Sequence, residues 1–220
     1  NEAAASPAVP DEDADWQAAA ARLVLARRFA VISGGPGTGK TTTLVTLLAA
    51  LLALDPQSRV ALAAPTGKAA ARMSEAVRQR AGHLPPEIRA RLPTESHTVH
   101  RLLGARPGGE FAHHAGNLLA VDALVVDEAS MLDLSLATHL LDAVPDHARI
   151  VLLGDKDQLA AVESGAVFAE IGTDASLGVA CRRKLAELAD TAVERIVPPA
   201  PATSSALGDT VVWFTRNYRF

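Results

Sequence analysis

The chain has 220 residues, of which 49% are hydrophobic and 21% charged, with a formal net charge of −4. That length suits one sizeable domain rather than two, and the composition excludes bulk disorder. Net negative charge argues against a free-standing nucleic-acid binder, but residues 59–106 hold nine basic and three acidic residues, so this segment carries +6 and the rest −10. Such a segment is either a surface for a polyanion or a pair of solvated helix faces.

The single cysteine, Cys181, excludes a disulfide framework and a cysteine-cage metal site. The apolar run 44–54 is too short for a bilayer span. The first fifteen residues are acidic and lack the positive start of a secretion signal. These features suit a soluble protein of a reducing, intracellular compartment. The chain starts at Asn1 and reads as a piece of a longer protein.

Residues 1–15, rich in Ala, Pro and acids, read as a loose lead-in to a domain over 16–220. Asp15 is placed to cap a helix over 16–28. A buried strand is expected at 29–33, a helix at 40–54 ending before Pro56, a strand at 59–64 and an Ala-rich helix at 66–81. Short helices are expected after Pro86 and over 98–103, then a polar loop at 104–116. Further strands are read at 123–127 and 149–153, with helices at 134–144, 165–171 and 181–196. A linker-like stretch at 198–210 precedes a last strand at 210–214. Apolar strands alternating with helices predict an α/β, three-layer fold with a mostly parallel sheet, whose ligands bind beyond the carboxyl ends of the strands.

The chemical motifs fall at those ends. Gly34, Gly35, Pro36, Gly37, Thr38, Gly39, Lys40 and Thr41 satisfy G-x-x-x-x-G-K-[ST], with a strand before and a helix after. The glycines let backbone N–H groups surround phosphate oxygens, and Thr42 continues the loop into the helix. Lys40 supplies a flexible cation for the β- and γ-phosphates, and the Thr41 hydroxyl suits Mg²⁺. At the tip of the 123–127 strand, Asp127 suits the same Mg²⁺ shell and Glu128 is placed to orient or deprotonate a water. Gly154, Asp155, Gln158 and Leu159 follow the fourth strand. If that strand neighbours the first, the Gln158 amide can tell ATP from ADP.

Together with Ala64–Ala70 (Ala-Pro-Thr-Gly-Lys-Ala-Ala) and Ser96–Leu103 (Ser-His-Thr-Val-His-Arg-Leu-Leu), these segments resemble the motifs of superfamily 1 helicases of the 5′→3′ branch. Their wording is most similar to the RecD family, the alpha subunits of exodeoxyribonuclease V. The resemblance implies a RecA-like first motor domain, 1A, that binds ATP and Mg²⁺ and grips single-stranded DNA through Thr66, Lys68, Thr98 and His100. It also implies an adenine-reading Gln17, and an Arg219 that reaches the γ-phosphate and acts in catalysis with Lys40, Glu128 and Gln158. The implied setting is a heterotrimeric helicase–nuclease of double-strand-break repair in the bacterial cytoplasm. No carboxylate cluster outside the ATP site suggests nuclease chemistry, and nothing resembles motifs V and VI of the second motor domain. An isolated chain is therefore expected to be nearly inactive. A stand-alone superfamily 1 DNA or RNA helicase and a non-hydrolysing ATP-binding subunit are the alternatives.

Four other features carry weaker readings. His97, His100, His113 and His114 have no cysteine among them and read as helix and loop residues rather than a metal site. Cys181 precedes Arg182, Arg183 and Lys184 yet reads as a plain half-buried thiol. Glu163 reads as a capping or ion-pairing residue. Trp213, Phe214, Tyr218 and Phe220 read as packing residues rather than base-stacking ones.

Overall fold

The computed structural model describes residues 16–158, 166–189, 192–198 and 207–214. Eight helices and six strands are ordered α1 (Trp16–Ala26), β1 (Phe29–Gly34), α2 (Lys40–Leu54), β2 (Val60–Ala64), α3 (Gly67–Ala81), α4 (Pro86–Arg89), β3 (His97–Thr98), α5 (Val99–Leu102), β4 (Ala123–Val126), α6 (Leu134–Asp142), β5 (Arg149–Gly154), α7 (Ala166–Ile171), α8 (Val179–Ala189) and β6 (Val211–Phe214), counted among the described residues. The strands form one sheet in the order β3-β2-β4-β5-β1-β6, and each neighbouring pair is parallel. Among the described residues no helix is long and apolar enough to cross a membrane.

Period-two alternation sends successive strand side chains into two cores. Ala30, Ile32, Leu62, Val125, Leu153 and Val212 face one core, with Leu23, Leu44, Leu47 and Leu48 from α1 and α2. Val31, Ala63, Leu124, Val126, Leu152 and Val211 face the other, with Val99, Leu140 and Phe168 from α5, α6 and α7. This is the three-layer arrangement expected of apolar parallel strands. Leu44, Leu47 and Leu48 are each fully buried, and each such side chain contributes about 1.5–3 kcal/mol over its exposed state. The helix α2 stops where Asp55 caps its last turn and Pro56 cannot continue it.

Three local features differ from the sequence expectations. The two-residue strand β3 is set by its neighbours. Ser96, just before it, donates its backbone N–H to Ser74 Oγ of α3 at 2.9 Å, which brings His97 and Thr98 into register with Ala63 and Ala64 of β2. The 104–116 segment folds back on itself through bridges between Ala105 and Phe111 and between His114 and Asn117. The helix expected over 181–196 begins earlier, at Val179, and ends at Ala189. Its continuation folds back, because Arg182 donates from Nε to the Ile196 carbonyl at 2.7 Å and from its terminal nitrogen to that of Val193 at 3.3 Å. In an unbroken helix those positions lie about 16–21 Å apart, beyond an arginine's reach. Cys181 is buried, and desolvation pushes its thiol up to about 11. The groups that act on it are Asp209 and Arg27, themselves ion-paired at 2.9 Å, and not the cations that follow it in sequence.

Gly154, where β5 turns toward the site, tests the packing. A Cβ there would come within 2.7 Å of the ring of Phe168, which is itself only 2% exposed. Gly154→Ala should therefore overpack this core and cost about 1–3 kcal/mol. Thermal unfolding should read that as a drop of several degrees in Tm. An unchanged Tm would mean that the ring has room to move.

Candidate nucleotide site

Parallel pairing brings the carboxyl ends of β1, β4 and β5 side by side, with β5 directly between β4 and β1. The chain leaves β1 through the glycine loop and enters α2 at Lys40. Gly39, the N-cap of α2, has φ of 90° and offers no side chain to the helix start, so the first N–H groups of α2 point into the loop. A side chain at that φ would be strained. Thr38 Oγ1 donates to the Gly35 carbonyl at 2.8 Å and fastens the loop from within. Gln17 of α1 packs on Gly39 and donates from Nε2 to the Thr38 carbonyl at 3.3 Å. The glutamine and the glycine loop, read separately from sequence, thus touch.

Lys40 Nζ donates to the Gly34 carbonyl and, at 3.1 Å, to that of Gly35. Burial lowers its pKa, and the carboxylates of Asp155, Glu128 and Asp127, in that order, oppose the shift. Asp127 stands at the tip of β4, where its backbone N–H bonds the Ala63 carbonyl of β2 at 2.9 Å and its Oδ1 accepts from the Glu128 N–H at 2.9 Å. Burial raises the Asp127 pKa, with Glu128 adding to the rise. Glu128 itself sits at φ 53°, a sparsely populated conformation for a non-glycine residue. This turn starts the 3-10 segment Ala129–Met131 and leaves the carboxylate at the cleft.

These groups line one cleft of about 710 Å³. Gly35, Pro36, Gly37, Gly39, Lys40, Thr41 and Thr42 form its floor, and Asp127 and Glu128 one side. Gly34 and Thr38 are buried in the loop's interior. The Thr41 hydroxyl and the Asp127 carboxylate are the oxygen donors a hard divalent cation takes. Two neighbouring, half-buried acids would be relieved by such an ion. Gln158 approaches from the turn after β5. Ser130 Oγ, just past Glu128, donates to Gln158 Oε1 at 3.0 Å. Nothing local in the sequence marks Ser130, since this contact spans 28 positions. Asp155, read only as part of a turn, is the foremost negative charge acting on Lys40.

Thr66 and Thr98 lie at the carboxyl ends of β2 and β3. Both hydroxyls serve as helix N-caps, Thr66 for Ala69 and Thr98 for Arg101, each at 3.2 Å. Lys68 and His100 are exposed on the adjoining first turns. His100 lies 6.0 Å, ring to ring, from Phe111, which in turn lies 5.1 Å from His139. Arg72 and Arg80 of α3, counted in sequence with the basic segment, line the glycine-loop cleft. Leu159, Glu163, Tyr218, Arg219 and Phe220, together with 1–15 and 199–206, lie outside the described residues.

A glycine loop between a buried parallel strand and a helix, facing an acid pair from a neighbouring strand, defines a P-loop nucleotide-binding domain of the RecA-like kind. The model of an AAA domain family (AAA_19) matches residues 17–164, and the chain belongs to that family. It is 51% identical over 163 residues to the RecBCD enzyme subunit RecD of Mycobacterium tuberculosis, covering 71% of this chain and 28% of that protein. It is 40% identical over 168 residues to the RecD subunit of Haemophilus influenzae, covering 73% and 26%. It is 42% identical over 149 residues to the ATP-dependent RecD2 DNA helicase of Deinococcus radiodurans, covering 68% and 18%. The chain thus spans about a quarter of the length of the two RecD relatives. Among solved structures, the Pif1 helicase of Candida albicans aligns with 69% of this chain and 34% of its own at 21% identity and a TM-score of 0.44.

Proposed function

We propose that the chain is the ATP- and Mg²⁺-binding first motor domain of a DNA helicase subunit that moves 5′→3′ on single-stranded DNA. The observation that carries this reading is the cleft itself, where Lys40, Asp127 and Glu128 meet and Gln158 is tied in through Ser130. A structural ATP holder has no need of Glu128 held at a strained turn beside the phosphate loop, so hydrolysis is favoured over mere occupancy. The bound metal would neutralise phosphate charge. Thr41 and Asp127 would hold it, Lys40 would stabilise the charge that develops on the transferred group, and Glu128 would orient the water. Gln17 would read the adenine, and Gln158 would report the loss of the γ-phosphate. Arg219 would add a second cation, a role worth about 10³–10⁵ in rate in other phosphoryl-transfer enzymes.

The RecD relatives, each named as a subunit of a RecBCD enzyme, support a place within a multi-subunit enzyme, which would be a helicase–nuclease of the bacterial cytoplasm acting in break repair. The strand would lie across the carboxyl ends of β2 and β3, where Lys68 and His100 are exposed. With Thr66 and Thr98 engaged as caps, their share in DNA contact would come through the backbone and the helix starts they hold. Contacts of this kind fall on phosphates and carry little sequence preference. In the full-length subunit, single-stranded DNA should stimulate ATP hydrolysis and RNA of equal length should not. Lys68→Ala should weaken DNA binding alike across sequences and lower the salt slope by about one. Equal stimulation by DNA and RNA would favour a less selective helicase. Unchanged affinity and slope in Lys68→Ala would make this basic segment a solvated face.

A further inference from the structure

We infer that Arg72 is a γ-phosphate contact supplied by α3, so that one helix carries both the lysine facing the strand and a cation facing the nucleotide. This inference rests on the reading of the cleft as a triphosphate site. Arg72 lines that cleft together with Ala69 and Met73, its neighbours on the same helix face. Its side chain is exposed and has no hydrogen bond or ion pair among the described residues, although Asp127 and Glu128 line the same cleft. A guanidinium fits phosphate oxygens two at a time and keeps its charge at any working pH.

The position along α3 selects the γ end of the nucleotide. The Asp127 N–H bonds the Ala63 carbonyl, and α3 begins four residues beyond Ala63, so the head of this helix stands beside the acid corner. Arg72 is in the second turn, whereas Arg80, also on the cleft wall, is about 12 Å farther down the helix. The glycine loop and Lys40 line the same cleft, and Thr41, Asp127 and Glu128, read as the metal- and water-holding groups, mark its hydrolytic end. A cation facing that end from α3 meets the terminal phosphate and not the two that ADP retains. Lys68 and Arg72 are four residues apart and therefore neighbours on one helix surface. Displacement of the helix by a strand at Lys68 would reach the γ-phosphate through Arg72 with no intervening residue.

The test is equilibrium binding of Mg-ATP and Mg-ADP to the chain by calorimetry, for wild type, Arg72→Ala, Arg72→Gln, Arg72→Lys, Lys40→Ala and Arg183→Ala. Arg72→Ala and Arg72→Gln should each weaken ATP about tenfold and ADP less than about twofold, on the scale of one charged hydrogen-bonding contact. Arg72→Lys should recover part of the loss, and Arg183→Ala, exposed on α8 away from the cleft, should match wild type. Lys40→Ala should weaken both nucleotides. If Lys40→Ala loses binding while both neutral Arg72 variants keep wild-type ATP affinity, the triphosphate site stands and the Arg72 contact is refuted. Equal losses for ATP and ADP in the Arg72 variants would also refute it. If wild type binds neither nucleotide, or Lys40→Ala binds as wild type does, the reading of the cleft fails and the inference fails with it.

Discussion

Glu128→Gln in the full-length subunit is expected to keep ATP bound while turnover falls on the order of a hundredfold or more, the scale lost when a group that orients or deprotonates the attacking water is removed. The substitution retains the size of the side chain and its hydrogen-bonding reach but removes the charge that draws a proton from water. The local backbone, at φ 53°, holds the residue at the cleft whether it ends in a carboxylate or an amide. Asp127, one position earlier, sits deeper and is turned to the N–H of Glu128 itself, so Asp127→Asn should act differently, weakening metal dependence and binding. Single-turnover hydrolysis and nucleotide binding, measured side by side, separate the two. Wild-type turnover in Glu128→Gln would mean that the water is activated by some other group.

Lys40→Ala is expected to remove most of the ATP affinity, by tenfold to a hundredfold in order of magnitude. The ammonium is partly buried, is held at the loop mouth by the Gly34 and Gly35 carbonyls, and lies in the field of three carboxylates. Without it, the carboxylates of Asp155, Asp127 and Glu128 lose the cation in whose field they lie, while Arg72 and Arg80 remain on the cleft. A triphosphate would then meet weaker attraction at the loop mouth. The loop N–H groups remain, so some affinity should persist. Calorimetric titration should show it as a weaker but finite Kd. An unchanged Kd would place the nucleotide elsewhere.

Much of this site is legible before any coordinates. The spacing from Gly34 to Thr41 dictates a backbone cradle between a strand and a helix. The apolar run ending at Asp127 puts an acid at a sheet's carboxyl edge. What sequence cannot supply is adjacency across long separations. Whether the turn at Gln158 lies next to Glu128 depends on β5 sitting between β4 and β1, and Ser130 acquires its partner only then. Arg72 illustrates the same limit in a different way. Its charge counts toward a basic segment, but the direction of its side chain follows from how α3 packs beside α2, and that turns it to the nucleotide cleft. The helix expected through Ile196 fails for a related reason. Periodicity continues past Ala189, while Arg182 captures the Ile196 carbonyl and folds the chain back. Local patterns specify elements, and the contacts that build the site are made between elements.

The cleft formed by the glycine loop, Asp127 and Glu128 is expected to bind Mg-ATP. A thermal melt of this chain, with and without Mg-ATP at a hundredfold excess over Kd, tests it directly. Binding to the folded state should add about 2.7 kcal/mol of apparent stability. For a domain of this size that is a rise of about 5–10 °C in Tm, and Lys40→Ala, bound tenfold to a hundredfold more weakly, should lose roughly half of it or more at the same nucleotide concentration. A wild-type Tm indifferent to Mg-ATP, or a rise that Lys40→Ala shares in full, would contradict the account.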